Sequence, residues 1–192
     1  MRPPDAPQIA AALYGAWRLL RLEPDGLQAF RVDVEAFWQS FFAALIVLPG
    51  YAILVSRHLG EPASAAGLVS AALIHVFAYA MNWTAFPLVT YYAAESMDRA
   101  ANWMGFVIAL NWSKVLQIAI YLPLVLAADT GFFGQGGGAV LTVAGFVAVL
   151  VYQWFVTRSA LDIAGAAAAG LTVLDVVIGL LITTLTEAAV SG

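Results

Sequence analysis

Long apolar stretches separated by short polar ones dominate this sequence. Five of them are long enough to cross a hydrocarbon core of about 30 Å, which takes about 20 helical residues. They cover approximately 37–55, 65–86, 103–127, 139–157 and 163–188. The pattern predicts an all-α fold, a polytopic transmembrane helical bundle of about five spans. A four-span alternative stays open, because Pro49 and Gly50 could make the first stretch re-entrant.

The first 36 residues differ from the rest and are predicted to form a segment of their own. Apolar residues recur there at helical spacing, opposite polar and basic ones; they are Ile9, Leu13, Trp17 and Leu20. This is typical of an N-terminal amphipathic helix lying in the headgroup region, although packing on the protein's own loops fits equally well. We therefore divide the chain into a cytoplasmic interfacial segment, 1–36, and a transmembrane bundle, 37–192.

Composition excludes several classes of protein. The chain is 62% hydrophobic and 10% charged, against roughly 45–50% and 25% in soluble domains. The formal net charge of −4 argues against a nucleic-acid partner, which requires a clustered basic face. The sequence contains no cysteine, so disulfides and thiolate-bound metals are excluded. A β-barrel is not expected, because the apolar stretches do not alternate with polar positions.

The arginines predict the orientation of the bundle. With five spans, one side carries Arg2, Arg18, Arg21, Arg31, Arg99 and Arg158. The other side carries Arg57, and the glycine-rich segment 128–138, predicted as a loop on that side, has no basic residue. Because arginine and lysine are retained on the cytoplasmic side, the N-terminus is predicted to be cytoplasmic and the C-terminus outside.

Two ionisable residues, Lys114 and Asp175, fall inside the predicted spans. Each costs about 2.5–3.5 kcal/mol at the bilayer centre, so such residues usually face a partner or a cavity. Counting from the ends of their spans places them at equal depth, which permits an ion pair. Other polar residues share their helix faces or lie at compatible depth. We name the whole set the polar seam: Lys114, Asp175, His75, Asn82, Asn111, Gln117, Thr172 and Thr183.

The polar seam has two competing interpretations. In the structural one, Lys114 and Asp175 form a buried pair, and the amides and hydroxyls make interhelical hydrogen bonds that fix the helix register. In the functional one, the seam is a path or binding site for a proton or a small polar solute. Asp175 would then be the carrier, with Lys114 or His75 as its charge partner. A third reading leaves the two charged groups unpaired, each snorkelling or reaching a partner subunit.

Enzymatic chemistry is not indicated. The chain lacks the Gly-x-Ser-x-Gly and His-Glu-x-x-His motifs, and its glycine run lacks the ending of a phosphate-binding loop. The two histidines, His58 and His75, are predicted at different depths, so a bis-histidine haem is not expected. We predict no catalytic residue, no cofactor and no bound metal.

The layout of a short N-terminal segment, five closely spaced spans and short loops resembles the Yip family. These are Ypt/Rab-interacting membrane proteins, with bacterial relatives. The residues that carry the resemblance are Asp98, Arg99, Gly105, Phe106, Asn111 and Tyr121-Leu122-Pro123-Leu124. The resemblance implies a non-enzymatic organiser, scaffold or accessory subunit of the bacterial inner membrane. Its partners would be the lipid bilayer and a larger membrane complex or a homo-oligomer, for which the small residues at 164–170 offer a close-packing surface.

Overall fold

The computed structural model describes residues 2–57 and 65–191, and every regular element in them is helical. The helices are α1 (Ala6–Leu20), a 3₁₀ helix (Pro24–Ala29), α2 (Val34–Ser40), α3 (Phe42–Ser56), α4 (Ala65–Ser96), α5 (Ala100–Asp129), α6 (Gly134–Leu161) and α7 (Gly165–Ser191). The all-α prediction is therefore confirmed. His58 lies outside the described residues.

Five helical stretches in the described part of the chain are long and apolar enough to cross a membrane, as predicted. They are Val34–Ser56, Gly67–Ser96, Ala100–Asp129, Gly136–Leu161 and Gly165–Val190. The first includes both α2 and α3, which adjoin at Phe41. At 23 residues it is long enough to cross fully, which favours five spans over the four-span alternative.

Four of the long helices form a closed ring. Helix α5 packs on α4 and α6, and α7 packs on α6 and α4, so each helix has two neighbours. Helix α3 packs on α5 and also contacts α4, because the Tyr79 hydroxyl donates a hydrogen bond to the Ala44 carbonyl at 2.6 Å. The ring is the frame that brings polar side chains of four helices together.

The N-terminal elements wrap around one end of this ring. We name α1, the 3₁₀ helix and α2, residues 6–40, the collar. Helix α1 packs on α5 and α6, and α2 packs on α5. Two buried hydrogen bonds hold the collar in place: the Tyr152 hydroxyl donates to the Ala16 carbonyl at 2.7 Å, and Asn111 Nδ2 donates to Ser40 Oγ at 2.9 Å. Because α5 has neighbours on all sides here, its residues 106–113 are continuously buried.

The apolar residues predicted to form one face of α1 only partly coincide with the face that the structure buries. Ile9, Leu13 and Leu20 do pack beside the core, but the Trp17 side chain is exposed. The buried face consists of smaller residues: Ala12, Gly15, Ala16 and Leu19. Small side chains let α1 approach the transmembrane helices closely. Thus α1 packs both on the transmembrane helices α5 and α6 and on the 3₁₀ helix that follows it.

The predicted end of the second span at Phe86 was wrong. Helix α4 continues through Pro87 to Ser96. Proline lacks an N–H and normally breaks a helix, but transmembrane helices tolerate it where neighbours satisfy the backbone. The missing N–H of Pro87 removes the helical bond to the Trp83 carbonyl, four residues earlier. The Pro87 carbonyl itself accepts hydrogen bonds from Trp103 Nε1 and Thr90 Oγ1, both at 2.9 Å, and the first of these ties this turn of α4 to α5.

The glycine-rich segment 128–138 was also misjudged as a loop. Helix α5 continues to Asp129 and α6 begins at Gly134, so only a short turn joins them. The glycines allow α6 to lie close to α5. A Cβ atom at Gly138 would lie 3.0 Å from the Ala128 carbonyl oxygen, and one at Gly145 would lie 2.8 Å from Leu124. Close packing therefore overrides the low helix propensity of glycine at this helix start.

Candidate functional site

Each helix of the ring contributes one polar side chain to a cluster inside the predicted spans. These residues are Asn82 on α4, Lys114 on α5, Gln153 on α6 and Asp175 on α7, and we name them the ring cluster. Gln153 is buried, and the other three are partly buried. The ring cluster contains two opposite charges and two amides in a region that must otherwise be apolar.

Lys114, the only lysine of the chain, is held by two neutral groups of α4. Its Nζ donates a hydrogen bond to the main-chain carbonyl of Asn82 at 3.2 Å. The Asn82 side-chain amide itself donates to the Ala78 carbonyl of its own helix at 3.0 Å. The same atom lies 4.7 Å from the ring centroid of Trp83, which is within the range of a cation–π contact. The ammonium is therefore solvated by a carbonyl and an aromatic face rather than by a carboxylate.

Asp175 is held by α6. Gln153 Nε2 donates a hydrogen bond to Asp175 Oδ2 at 2.6 Å, and the Gln153 side chain is 4% exposed. The sequence reasoning missed Gln153, although a single amide within the apolar stretch 139–157 was a signal of an interhelical contact.

The direct ion pair that equal depth permits between Lys114 and Asp175 is not formed in the structure. None of the ion pairs found among the described residues joins these two side chains. Asp175 still attracts the ammonium electrostatically through space. The physical reason is that each charged group has a nearer hydrogen-bonding partner on the adjacent helix of the ring.

Two further polar side chains extend the ring cluster away from the collar. His75 lies two helical turns from Asn82 on the same face of α4, and Gln117 lies one turn from Lys114 on α5. His75 Nδ1 and Gln117 Nε2 are both buried and have no hydrogen-bond partner among the described residues. The same holds toward the collar for Asn111 Oδ1, Ser113 Oγ and Thr157 Oγ1. Buried polar atoms normally have a partner, so the interior of the ring has unused hydrogen-bonding capacity.

The remaining residues of the polar seam lie elsewhere. Asn111 is fully buried, but it bonds to Ser40 of the collar. The Thr172 hydroxyl is buried and donates to the Ala168 carbonyl of its own helix at 2.9 Å. Thr183 is exposed on the outside of α7. The structure therefore brings together Lys114 and Asn82 directly, with Asp175 near them, and separates the other three from this group.

An apolar cluster closes the ring on the collar side. All four ring helices contribute to it, and its buried members are Phe86, Ala94, Phe106, Val107, Leu110, Leu161 and Leu171. At the opposite end, Arg57 and Asp129 form an ion pair that we take as the edge of the hydrocarbon layer. Lys114 is 15 residues from Asp129, or about 22 Å along α5. It thus lies within a core of about 30 Å, nearer the collar than the opposite edge.

Comparisons with known proteins give no family for this chain. No protein-family model matches the sequence, and no curated protein and no solved structure matches it. Within residues 2–57 and 65–191, no group of three histidine or acidic side chains could hold a metal ion. The candidate site is thus defined by the contacts of this chain alone.

Proposed function

We propose that this integral membrane protein takes a proton or a small polar solute into the centre of its four-helix ring. The observation that carries the proposal is that Lys114 and Asp175 do not neutralise each other by contact, since each is held by a neutral partner. Charged groups inside a membrane are expensive and usually serve a pathway or a binding site. A guest between them would contact both charges.

The surroundings of the ring cluster support entry from the end opposite the collar. On that side lie the unpartnered atoms of His75 and Gln117. Three more such atoms, Asn111 Oδ1, Ser113 Oγ and Thr157 Oγ1, lie toward the collar, but there the apolar cluster follows them. Asp175 is the proposed carrier, because a carboxylate can accept a proton or a hydrogen-bond donor, and Lys114 is its charge partner. Passage through the membrane would require the apolar cluster to open.

Uptake into liposomes tests this proposal. The purified protein would be reconstituted with a trapped pH-sensitive dye, and proton entry would be followed after an external acid step. Glycerol entry would be followed by light scattering. We expect Asp175→Asn to abolish the flux carried by the unaltered protein. Glu187→Gln is the matched control, because it makes the same chemical change at an exposed position of the same helix.

Thermal unfolding of the same variants separates the two interpretations of the polar seam. A carrier role predicts that Asp175→Asn loses flux while its unfolding temperature stays near that of Glu187→Gln. If the unaltered protein is impermeable to both probes and Asp175→Asn unfolds at a clearly lower temperature, the ring cluster is a structural clamp and the proposal is wrong.

A second candidate function, a non-enzymatic membrane organiser or scaffold, is favoured by the collar. The collar is folded onto the bundle, yet it exposes the aromatic side chains of Tyr14, Trp17 and Trp38. Such side chains suit membrane interfaces and protein partners. The resemblance to the Yip family implies the same role. Replacing Tyr14 and Trp17 by serine should abolish cross-linking to a partner in the native membrane while leaving flux through the ring unchanged.

We further propose that the collar faces the cytoplasm of a bacterial inner membrane, in accordance with the distribution of arginines. The absence of cysteine makes a direct test simple. Single cysteines would be placed at Tyr14 in the collar and at Phe132 in the turn between α5 and α6, both of which are exposed. An impermeant thiol reagent added to intact cells should label position 132, and label position 14 only after the membrane is opened. The reverse pattern would invert the topology.

A further inference from the structure

A cleft of about 250 Å³ lies between the collar and α5. Its floor is apolar and includes Ala12, Ile108 and Trp112, while its rim carries the polar side chains of Gln8, Arg31 and Gln39. The cleft therefore separates an apolar interior from a polar mouth. It is distinct from the ring cluster and is not used by the proposed function.

Trp112 in the floor of the cleft offers a hydrogen-bond donor to a ligand. The residue is only 3% exposed, and its indole N–H donates no hydrogen bond to any described residue. This N–H does not belong to the buried polar atoms that lack a partner, so it keeps some exposed surface. Trp103 and Trp154 instead donate to the carbonyls of Pro87 and Gly165. The Trp112 N–H remains available to an acceptor inside the cleft.

The mouth of the cleft carries a cation with unused donors. Arg31 Nε and Nη2 bond to Asp33, and Nη2 also bonds to Glu35. Its Nη1 has no partner among the described residues. Guanidinium N–H groups make charge-assisted hydrogen bonds to phosphate oxygens. Arg31 can contact a phosphate through Nη1 alone, because Nε and Nη2 are held by Asp33 and Glu35. The two carboxylates would attract the ammonium group of a zwitterionic lipid.

The height of the cleft matches the boundary between headgroups and acyl chains. If the Arg57–Asp129 pair marks one edge of the hydrocarbon layer, a core of about 30 Å extends about 20 residues along α5, to the region of residue 109. Ile108 and Trp112 lie on either side of this level. The apolar floor lies at the edge of the hydrocarbon core, and the polar rim lies beyond it. A phospholipid has the same order of parts, with its acyl chains in the core and its phosphate beyond the core.

We propose that this cleft binds one membrane phospholipid. The start of an acyl chain lies against the Trp112 ring on the hydrocarbon side of the level of residue 109, the ester region lies beside Ala12 and Ile108, where an ester oxygen accepts the Trp112 N–H, and the phosphodiester contacts Arg31 at the rim. The lipid fills the space between α1 and α2 and joins the collar to the bilayer.

Native mass spectrometry tests the proposal on the full-length protein. The protein would be extracted with a mild detergent from vesicles of equal parts phosphatidylethanolamine and phosphatidylglycerol. We expect one retained phospholipid per chain. Ala11→Phe places a large side chain at an exposed position that lines the cleft and should lower the occupancy at least tenfold. Ala10→Phe is the matched control, because the adjacent exposed position does not line the cleft.

A photoactivatable phospholipid then locates the bound molecule. Cross-linked peptides should come from 4–12, 29–39 and 108–112, and Arg31→Gln should reduce their yield several-fold. Unaltered unfolding temperatures of the variants would show that the fold persists. Equal retention by Ala11→Phe and Ala10→Phe, cross-links elsewhere, or a cross-link from the cleft to a second protein chain would each overturn the proposal. Retention of only one of the two lipids would identify the headgroup.

Discussion

Helix α1 and the 3₁₀ helix meet at two glycines, so an alanine at this contact is expected to separate them. A Cβ atom at Gly26 would lie 2.6 Å from the carbonyl oxygen of Gly15 and 2.9 Å from Arg18 Cβ. A Cβ atom at Gly15 would lie 2.9 Å from the carbonyl oxygen of Gly26. The atoms in the way belong largely to the backbone and cannot rotate aside. The Gly26→Ala variant therefore has to move the two elements apart.

The expected cost follows from this geometry. Overpacking by one methyl group costs about 1–3 kcal/mol, and a clash with backbone favours the upper half of that range. The cost should fall on the docking of α1, because the contact involves only the collar. Gly170→Ala is the control: its Cβ would meet no atom within 4 Å, and replacing glycine in a helix is neutral or gains up to about 1 kcal/mol.

Hydrogen exchange in detergent measures this effect directly. A loss of about 2 kcal/mol in local stability should raise the exchange rate of collar amides about 30-fold. The amides of α5 and α6 away from the collar should keep their protection. The reasoning would be refuted if Gly26→Ala and Gly170→Ala exchanged alike, or if the ring helices lost protection as much as the collar.

Three further outcomes are expected. Tyr152→Phe removes the hydrogen bond to the Ala16 carbonyl and should destabilise α1 docking by about 0.5–1.5 kcal/mol, measured by exchange of the α1 amides. The hydrogen bond from the Ala36 N–H holds the pKa of the Asp33 carboxyl below its usual range. This carboxylate therefore stabilises α2 above about pH 3.9, and its contribution is lost as the pH falls through the lowered pKa. Circular dichroism should show a loss of helix in acid that the Asp33→Asn variant lacks. Thr183→Ala should change stability by less than about 0.5 kcal/mol in thermal unfolding, because the residue is exposed.

The five spans were predictable because an apolar stretch of about 20 residues has the length of the hydrocarbon core and must satisfy its backbone hydrogen bonds internally, as a helix does. The ends of the helices were not predictable in the same way. Pro87 and Gly134 are helix breakers by local propensity, yet both lie in helices. Gly134 begins α6 with a φ of 64°, a conformation that glycine adopts readily. The contacts that hold such turns come from residues distant in sequence, such as Trp103, which donates to the Pro87 carbonyl. Local rules contain no information about them.

The candidate site was predictable in part, and the limit is again a physical one. Helical spacing and depth identified Lys114, Asp175 and Asn82 as residues that approach each other. Spacing does not determine how each helix is rotated about its axis in the bundle, and that rotation decides which partner a side chain reaches. It directs Asp175 to Gln153 and leaves Thr183 on the outer surface. The contact between the Asp175 carboxylate and the Gln153 amide could not be predicted from a pattern of opposite charges, because the amide is neutral.

The separation of the two charges is the observation on which the proposed function rests. A pair that served only to join helices would gain most from direct contact, because the attraction between two charges falls with distance and grows in a low-dielectric interior. Here Lys114 instead contacts a carbonyl and an aromatic ring, and Asp175 contacts an amide. Each arrangement stabilises its charge without cancelling it. The two charges are therefore stabilised separately, and neither is cancelled by an ion pair with the other.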